Sequence, residues 1–434
     1  MEYIIVVCVL FALVILVYAS VTKDAAWRVL FVLLAALAVR LAIHTLLMRS
    51  MGVGYGGDNL TYENAAIEIA EKWKQQNFHF VTSDLAHLKS VALPCNLFAV
   101  IIYLSDGRAS LACTAVVALI ACSLCMIIYR FAQLLGADER SAFRLLIITA
   151  FAPAFLVHTS DTFKDGFNAF LVVSCIALAC SNMKRFDVRK LLLLVPLLWA
   201  LWYVRPYMVF MCVPPLIISL LRSRGAVSMY VTSAFLAMSI FIVSALAGVE
   251  VDIFDTIQDQ LKYGQSEQTI QALAGGGSGV TFEGEIPWSN LGLKLLYTLL
   301  SPFPWMDGSV FLQLGKIEAL ICYYLLYSAT RGMRILWHCD RNMLLILLFF
   351  IVPSLIAYAT TIANIGLIVR QRMPIVMVCS LLAAVAWSKA SRDNHGAASY
   401  IPEKPSRSVS CDGKVTRGRD RSSRERCLTR KSNL

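Results

Sequence analysis

Apolar residues fall in runs rather than in alternation. Stretches of about 17–23 apolar residues recur along the chain, separated by short charged loops, which is the length that crosses a hydrocarbon layer of about 30 Å. Lipid offers no partner to an open backbone group, so such segments must be helices. The pattern therefore predicts an all-α, polytopic transmembrane helical bundle. Spans are expected near 3–20, 29–48, 109–129, 145–160, 166–182, 191–205, 207–221, 226–248, 309–329, 342–361 and 367–388, about eleven in all. Two shorter apolar stretches, Val91–Ser105 and Leu291–Trp305, are broken by Pro94 and by Ser301-Pro302-Phe303-Pro304-Trp305. They are read as two re-entrant or interfacial segments.

Charge orients this arrangement. Lys and Arg concentrate in Lys23–Arg28, Arg130–Arg144, Lys184–Lys190, Arg222–Arg224, Arg331–Arg341 and the tail. An odd number of spans places all of these on one side, with the N-terminus outside and the C-terminus cytoplasmic. Residues 1–388 then form the transmembrane domain, with outer loops near 49–90 and 249–290. Residues 389–434 form a basic, disordered cytoplasmic tail. Of the net charge of +11, the tail carries twelve Lys/Arg against five Asp/Glu. Its expected partner is anionic lipid; with Tyr400 the single aromatic residue among the basic ones, no nucleic acid is expected. The 13 cysteines lie mostly inside apolar runs and read as small hydrophobes, not as a metal or disulfide framework. The run Gly275–Gly279 lacks a following Lys-Ser/Thr and reads as a flexible linker, not a phosphate loop.

Charges at membrane depth are costly, so each is a candidate site. In this topology they collect at the outer face. Asp58 opens the first outer loop, with Tyr62 shortly after it. His158, Asp161, Lys164 and Asp165 share one tight turn, and Arg205 sits in another. Arg370 and Arg372 begin the last span, and Arg40 lies toward the outer end of the second. Each has an ordinary structural alternative. Arginines snorkel to lipid phosphates, Lys164 pairs with Asp161 or Asp165, and Asp58 caps a helix starting near Tyr62. His44 packs between helices, and Lys316 and Glu318 each find a structural partner. Taken together, several cations and at least two carboxylates on one membrane face suit a different task. Arg and Lys hold phosphate, and a carboxylate takes a proton from a hydroxyl. No metal ligand set is apparent.

At these residues the chain resembles multi-spanning bacterial envelope proteins of polysaccharide synthesis, of the general design of C-type glycosyltransferases and repeat-unit polymerases. The resemblance rests on Gly57-Asp58-Asn59-Leu60-Thr61-Tyr62, on Pro153 followed by His158–Asp165, and on Trp202-Tyr203-Val204-Arg205-Pro206-Tyr207. It also rests on Asn364-Ile365-Gly366 through Arg370-Gln371-Arg372 and on Ser301–Trp305. It implies a multi-pass protein of the bacterial inner (cytoplasmic) membrane that takes sugar from a polyprenyl-(di)phosphate-linked donor on the extracytoplasmic face. The partners it implies are that glycan donor, a glycan acceptor and polysaccharide assembly proteins. It makes Asp58 the catalytic base, with Asp161 and Asp165 as further carboxylate candidates. Lys164, Arg205, Arg370 and Arg372 become phosphate ligands, and Arg40, Tyr62 and His158 secondary candidates. Such enzymes often carry a second acidic residue in the first loop. None adjoins Asp58, so no cofactor is assigned and a divalent metal stays open. Two other classes stand beside the enzyme: a transporter or flippase of the lipid-linked glycan, and a non-catalytic assembly scaffold. No internal repeat is evident and the charges lie off the midplane, which favours the enzyme.

Overall fold

The structure, a computed structural model, describes residues 1–50, 57–82, 91–221, 290–306, 310–361 and 365–398. The chain divides into a unit of Met1–Ser391 and a unit of Arg392–Leu434. Among the described residues the first unit is built of helices joined by loops and turns, with no strand. Helix α1 is Glu2–Ser20 and α2 is Lys23–Ala42, which runs into a π-helical segment, Ile43–Ser50. Next come α3 (Asp58–Gln75), α4 (Ala92–Ser105), α5 (Ser110–Leu134), α6 (Glu139–Ala150) and α7 (Pro153–Val157). They are followed by α8 (Asp165–Lys184), α9 (Val188–Trp202) and α10 (Pro206–Leu221). After the gap come α11 (Leu291–Leu300), α12 (Val310–Cys339), α13 (Arg341–Thr361), α14 (Ile365–Gln371) and α15 (Met373–Ala398). Six of the described helices are long and apolar enough to cross a membrane: Glu2–Ser20, Lys23–Leu46, Ser110–Leu134, Asp165–Lys184, Arg341–Thr360 and Met373–Ala390.

Helix α5 is the central post of the N-terminal half, packing against α1, α2, α6 and α8. Its sequence explains why. Ala112, Cys113, Ala115, Ala118, Ala121, Cys122 and Cys125 are all buried, and small side chains let neighbouring backbones approach closely. Every described cysteine is unpaired, and most are buried, as expected of small hydrophobes. Helix α10 joins the halves by packing on α8 and α13. Where α12 meets α15, an added Cβ at Gly332 would fall 1.8 Å from the Leu382 carbonyl oxygen. No other residue fits that crossing.

One expected span is broken, and the two short apolar stretches form short helices. The stretch near 145–160 is two helices, because Pro153 has no N–H to continue α6 and starts α7 instead. The Ala154 N–H freed at that break donates to the Glu318 carboxylate, the structural partner expected for Glu318. Val91–Ser105 is the short helix α4, packed on α3, and Leu291–Trp305 is α11 followed by an irregular turn. The helix at the first loop starts at Asp58 itself, after Gly57, not near Tyr62. The expected span near 226–248, almost all of the loop near 249–290, the Gly275–Gly279 run and the tail from 399 onward lie outside the described residues.

Three of the basic loops, Lys23–Arg28, Arg130–Arg144 and Lys184–Lys190, lie near one another and near Ser388. Arg28 donates to Glu139 at 2.7 Å, Lys184 donates to the Leu134 carbonyl, and the Asp138 N–H donates to Ser388 Oγ. The candidate site residues gather elsewhere, on the loop between α7 and α8.

Candidate functional site

Two helix starts and two tight turns build the site. In α3, residues four apart share a face, so Asp58 and Tyr62 form one stripe while Asn59 and Glu63 form the next. The α7–α8 loop, His158–Lys164, lies under both stripes. Thr159, Ser160, Asp161 and Thr162 are fully buried there. Gly166 permits this: a Cβ at that position would meet the Thr159 methyl at 2.9 Å. The loop ends in Lys164 and Asp165, with Asp165 in the first turn of α8, where the helix dipole favours a carboxylate. Arg205 stands in the short turn after α9 and precedes Pro206, which opens α10.

The first stripe faces a charge network. Asp165, 1% exposed, accepts from Arg205 Nη2 at 2.7 Å and from Arg370 Nε at 2.9 Å. Arg370 also donates through Nη2 to Asp58 at 2.8 Å, and Asp58 is 48% exposed. One guanidinium therefore bridges a buried and an open carboxylate. Arg205 donates its other terminal nitrogen to the Tyr207 hydroxyl at 2.8 Å. Lys164 Nζ stands 6.0 Å from the centre of the Tyr62 ring, and the Arg370 guanidinium lies 5.3 Å from that of Phe163. Burial, and then the charge of Arg205, push the Lys164 amine down to about 8. Burial followed by the Arg370 charge holds His158 down at about 4, so its imidazole is neutral at pH 7. The Tyr62 phenol is pushed up by burial and then by Asp58 and Asp165.

The second stripe faces a closed network around Asp161, which is 0% exposed. Asp161 accepts from Asn59 Nδ2 at 2.7 Å and from the Thr162 N–H at 2.8 Å. His44 Nδ1 lies 3.4 Å away and also contacts the Thr114 hydroxyl at 3.2 Å. Arg49 pairs with Glu63 on the same face. Burial works to raise the Asp161 carboxyl, but these hydrogen bonds win and hold it below the usual carboxylate range.

Of the sequence-predicted residues, the structure joins Asp58, Asp165, Arg205 and Arg370 in one network, with Lys164, Tyr62 and His158 beside it. Asp161 belongs to the neighbouring network. Arg40 is fully buried and donates to Thr159 Oγ1 and to the carbonyls of Ala36 and Ala150, fixing the loop from behind. Arg372 points elsewhere: Nη1 donates to the carbonyls of Thr298 and Leu299, the last carbonyls of α11. With Glu318, Phe155 and Met377 it lines a cavity of about 30 Å³. Sequence reasoning did not single out Asn59, Glu63 or Tyr207. The spacing of Asp58-Asn59 and Tyr62-Glu63 was the available signal for the first two. Among the described residues no group of three or more His, Cys, Asp or Glu side chains is placed to hold a metal ion.

No protein-family model matches this chain, and no curated protein matches it. A similar solved structure is the archaeal oligosaccharyltransferase AglB from Archaeoglobus fulgidus in complex with an inhibitory peptide and a dolichol-phosphate. The TM-score is 0.49 and the identity 11%, over 89% of this chain and 53% of that one, so this chain spans about half its length. The site is therefore interpreted from its own geometry.

Proposed function

We propose that this multi-pass membrane protein is a glycosyltransferase or polymerase of envelope polysaccharide synthesis, acting at the extracytoplasmic face of a bacterial inner membrane on a polyprenyl-(di)phosphate-linked sugar. The observation that carries this reading is the bridge Asp58–Arg370–Asp165–Arg205, with Lys164 beside it, at the starts of α3 and α8. Three cations converge there on two carboxylates, and only one of those carboxylates is open to solvent.

The chemistry follows from that asymmetry. Asp58 takes the proton of the acceptor hydroxyl as its oxygen forms a bond to the anomeric carbon. The bond from that carbon to the phosphate oxygen breaks, and the electron pair leaves with the phosphate. Arg370 and Lys164 meet the charge that develops on it, held in place before the reaction begins. Arg205 does not need to touch the substrate. Together with Asp165 it fixes Arg370, the role of a second layer of hydrogen bonds around a site. Asp161 and Arg40 support the loop that carries Lys164.

The test is complementation of a deletion strain by Asp58→Asn, Lys164→Ala and Arg370→Ala, with surface glycan length and membrane protein level both recorded. Normal protein level with glycan absent, or stalled as single lipid-linked units, is the expected result. Normal glycan from Asp58→Asn would remove the base from the mechanism and move the transporter reading ahead.

A further inference from the structure

Arg370 holds two carboxylates that are not equivalent. Asp165 is 1% exposed and is also gripped by Arg205 at 2.7 Å. Moving it would leave two buried guanidinium groups without their shared anion. Asp58 is 48% exposed, and its ion pair in this network is with Arg370, which is itself only 16% exposed. It sits on the first residue of α3, where a change of side-chain torsion swings the carboxylate into solvent without disturbing the helix. Arg370 is thus fixed from below through Nε and exchangeable from above through Nη2.

We infer that Asp58 is the resident counter-anion of the phosphate seat, and that an incoming phosphate displaces it from Arg370. This rests on the proposed function and adds an order of events to it. With Asp58 in place, the three cations Lys164, Arg205 and Arg370 face two carboxylates among the described residues, Asp58 and Asp165. With Asp58 turned away, they face one, and the seat carries the surplus positive charge that a phosphate or diphosphate matches. The same exchange frees the base. While Asp58 Oδ2 is spent on Arg370 at 2.8 Å, that oxygen is not available to an acceptor hydroxyl; once phosphate occupies Nη2, it is. Donor binding then precedes activation of the acceptor. An empty site holds its own base in check and does not activate stray hydroxyls or water. The exchange needs no conformational change beyond one partly exposed side chain, because Arg205 and Asp165 keep Arg370 where it is.

The test measures binding, not turnover, so it is separable from the transfer reaction. The full-length protein is reconstituted in phosphatidylcholine nanodiscs and titrated with inorganic pyrophosphate by calorimetry. If Asp58 competes for Arg370, Asp58→Asn binds pyrophosphate roughly tenfold more tightly than the wild type, the loss of one charge-assisted hydrogen bond to be broken. Asp58→Glu, which keeps the competing charge, stays near wild type, and Arg370→Ala loses binding. Equal or weaker binding by Asp58→Asn, with the wild type binding normally and melting temperatures matched, overturns the exchange while leaving a phosphate site in place. Undiminished binding in Arg370→Ala overturns it by removing Arg370 from the seat. No binding by the wild type or by Asp58→Asn overturns both the exchange and the phosphate reading beneath it. A second arm adds undecaprenyl phosphate to the nanodisc. Displacement of pyrophosphate there identifies lipid-borne phosphate as the occupant and absence of displacement identifies free phosphate; the exchange with Asp58 stands in either case.

Discussion

Asp161 and Asp165 lie four residues apart, one on the α7–α8 loop and the other on the first residue of α8, and both are buried, yet they sit in networks of opposite kinds. Around Asp161 the hydrogen bonds run to Asn59, to a backbone N–H and toward His44. Each path ends in another protein group, and Arg49, 27% exposed and 4.0 Å from Asp161, is itself paired with Glu63. Around Asp165 the path runs through Arg370 to Asp58, which is half-exposed. The first network is closed and holds the loop against α3. The second ends in a carboxylate that can leave. A buried carboxylate is therefore no sign of catalysis by itself; what matters is whether its network reaches a group that substrate can replace.

The largest effect should come from emptying the open network at its base. Asp165→Ala leaves Arg205 and Arg370 buried without their common anion, and removing one partner of a buried pair costs about 3–5 kcal/mol. Little folded protein should reach the membrane, as judged by membrane protein level and by thermal unfolding in detergent. Normal accumulation would mean that the guanidinium groups do not depend on Asp165. The sharper contrast is between Asp58→Asn and Asp161→Asn. The first should keep its melting temperature and lose transfer by about 10²–10⁴-fold, the usual contribution of a general base. The second turns an acceptor into a donor facing the Asn59 amide. It should lower stability by about 1–3 kcal/mol while leaving the rate per folded molecule close to wild type. If the two variants exchange these behaviours, the assignment of open and closed networks is reversed.

The helical bundle was legible because apolar run length and backbone satisfaction leave no alternative to helices in lipid. Most of the open network was legible for a related reason: charge beside an apolar run is costly, so Asp58, Lys164, Asp165, Arg205 and Arg370 each stood out alone. Their partners did not. Nothing in sequence separation says that residue 370 reaches both 58 and 165, because that contact depends on how α14 stands over the α7–α8 loop. Arg372 stood out for the same reason as Arg370, but it lies in the turn just past α14, whose backbone still follows the helical path, so two positions turn its side chain to the other side. It caps α11 instead. Asp161 was grouped with Asp165 because both are acids in one turn. The stripe of α3 that carries Asn59 and Glu63 separates them, and that stripe depends on the helix starting at Asp58. The break at Pro153 could have been read from the missing N–H alone.

The smallest effect, and the one most specific to the open network, is a dependence on pH through Lys164. Its amine is pushed down to about 8 by burial and by Arg205, so it is charged below that pH and neutral above it. A phosphate in the seat favours the charged form. Binding is therefore at full strength below pH 8 and weakens as pH rises through it, by up to about tenfold per pH unit until the complex itself titrates. The probe also titrates, so the comparison is made against Lys164→Arg, whose guanidinium stays charged throughout. The ratio of pyrophosphate affinities, wild type over Lys164→Arg, should be level from pH 6 to 7.5 and fall toward pH 9. The cation beside Asp161 is Arg49, 4.0 Å away, and a guanidinium stays charged throughout, so Asp161→Asn should leave that ratio unchanged. A level ratio across the whole range would take Lys164 out of the seat and leave Arg370 as the cation that meets the phosphate.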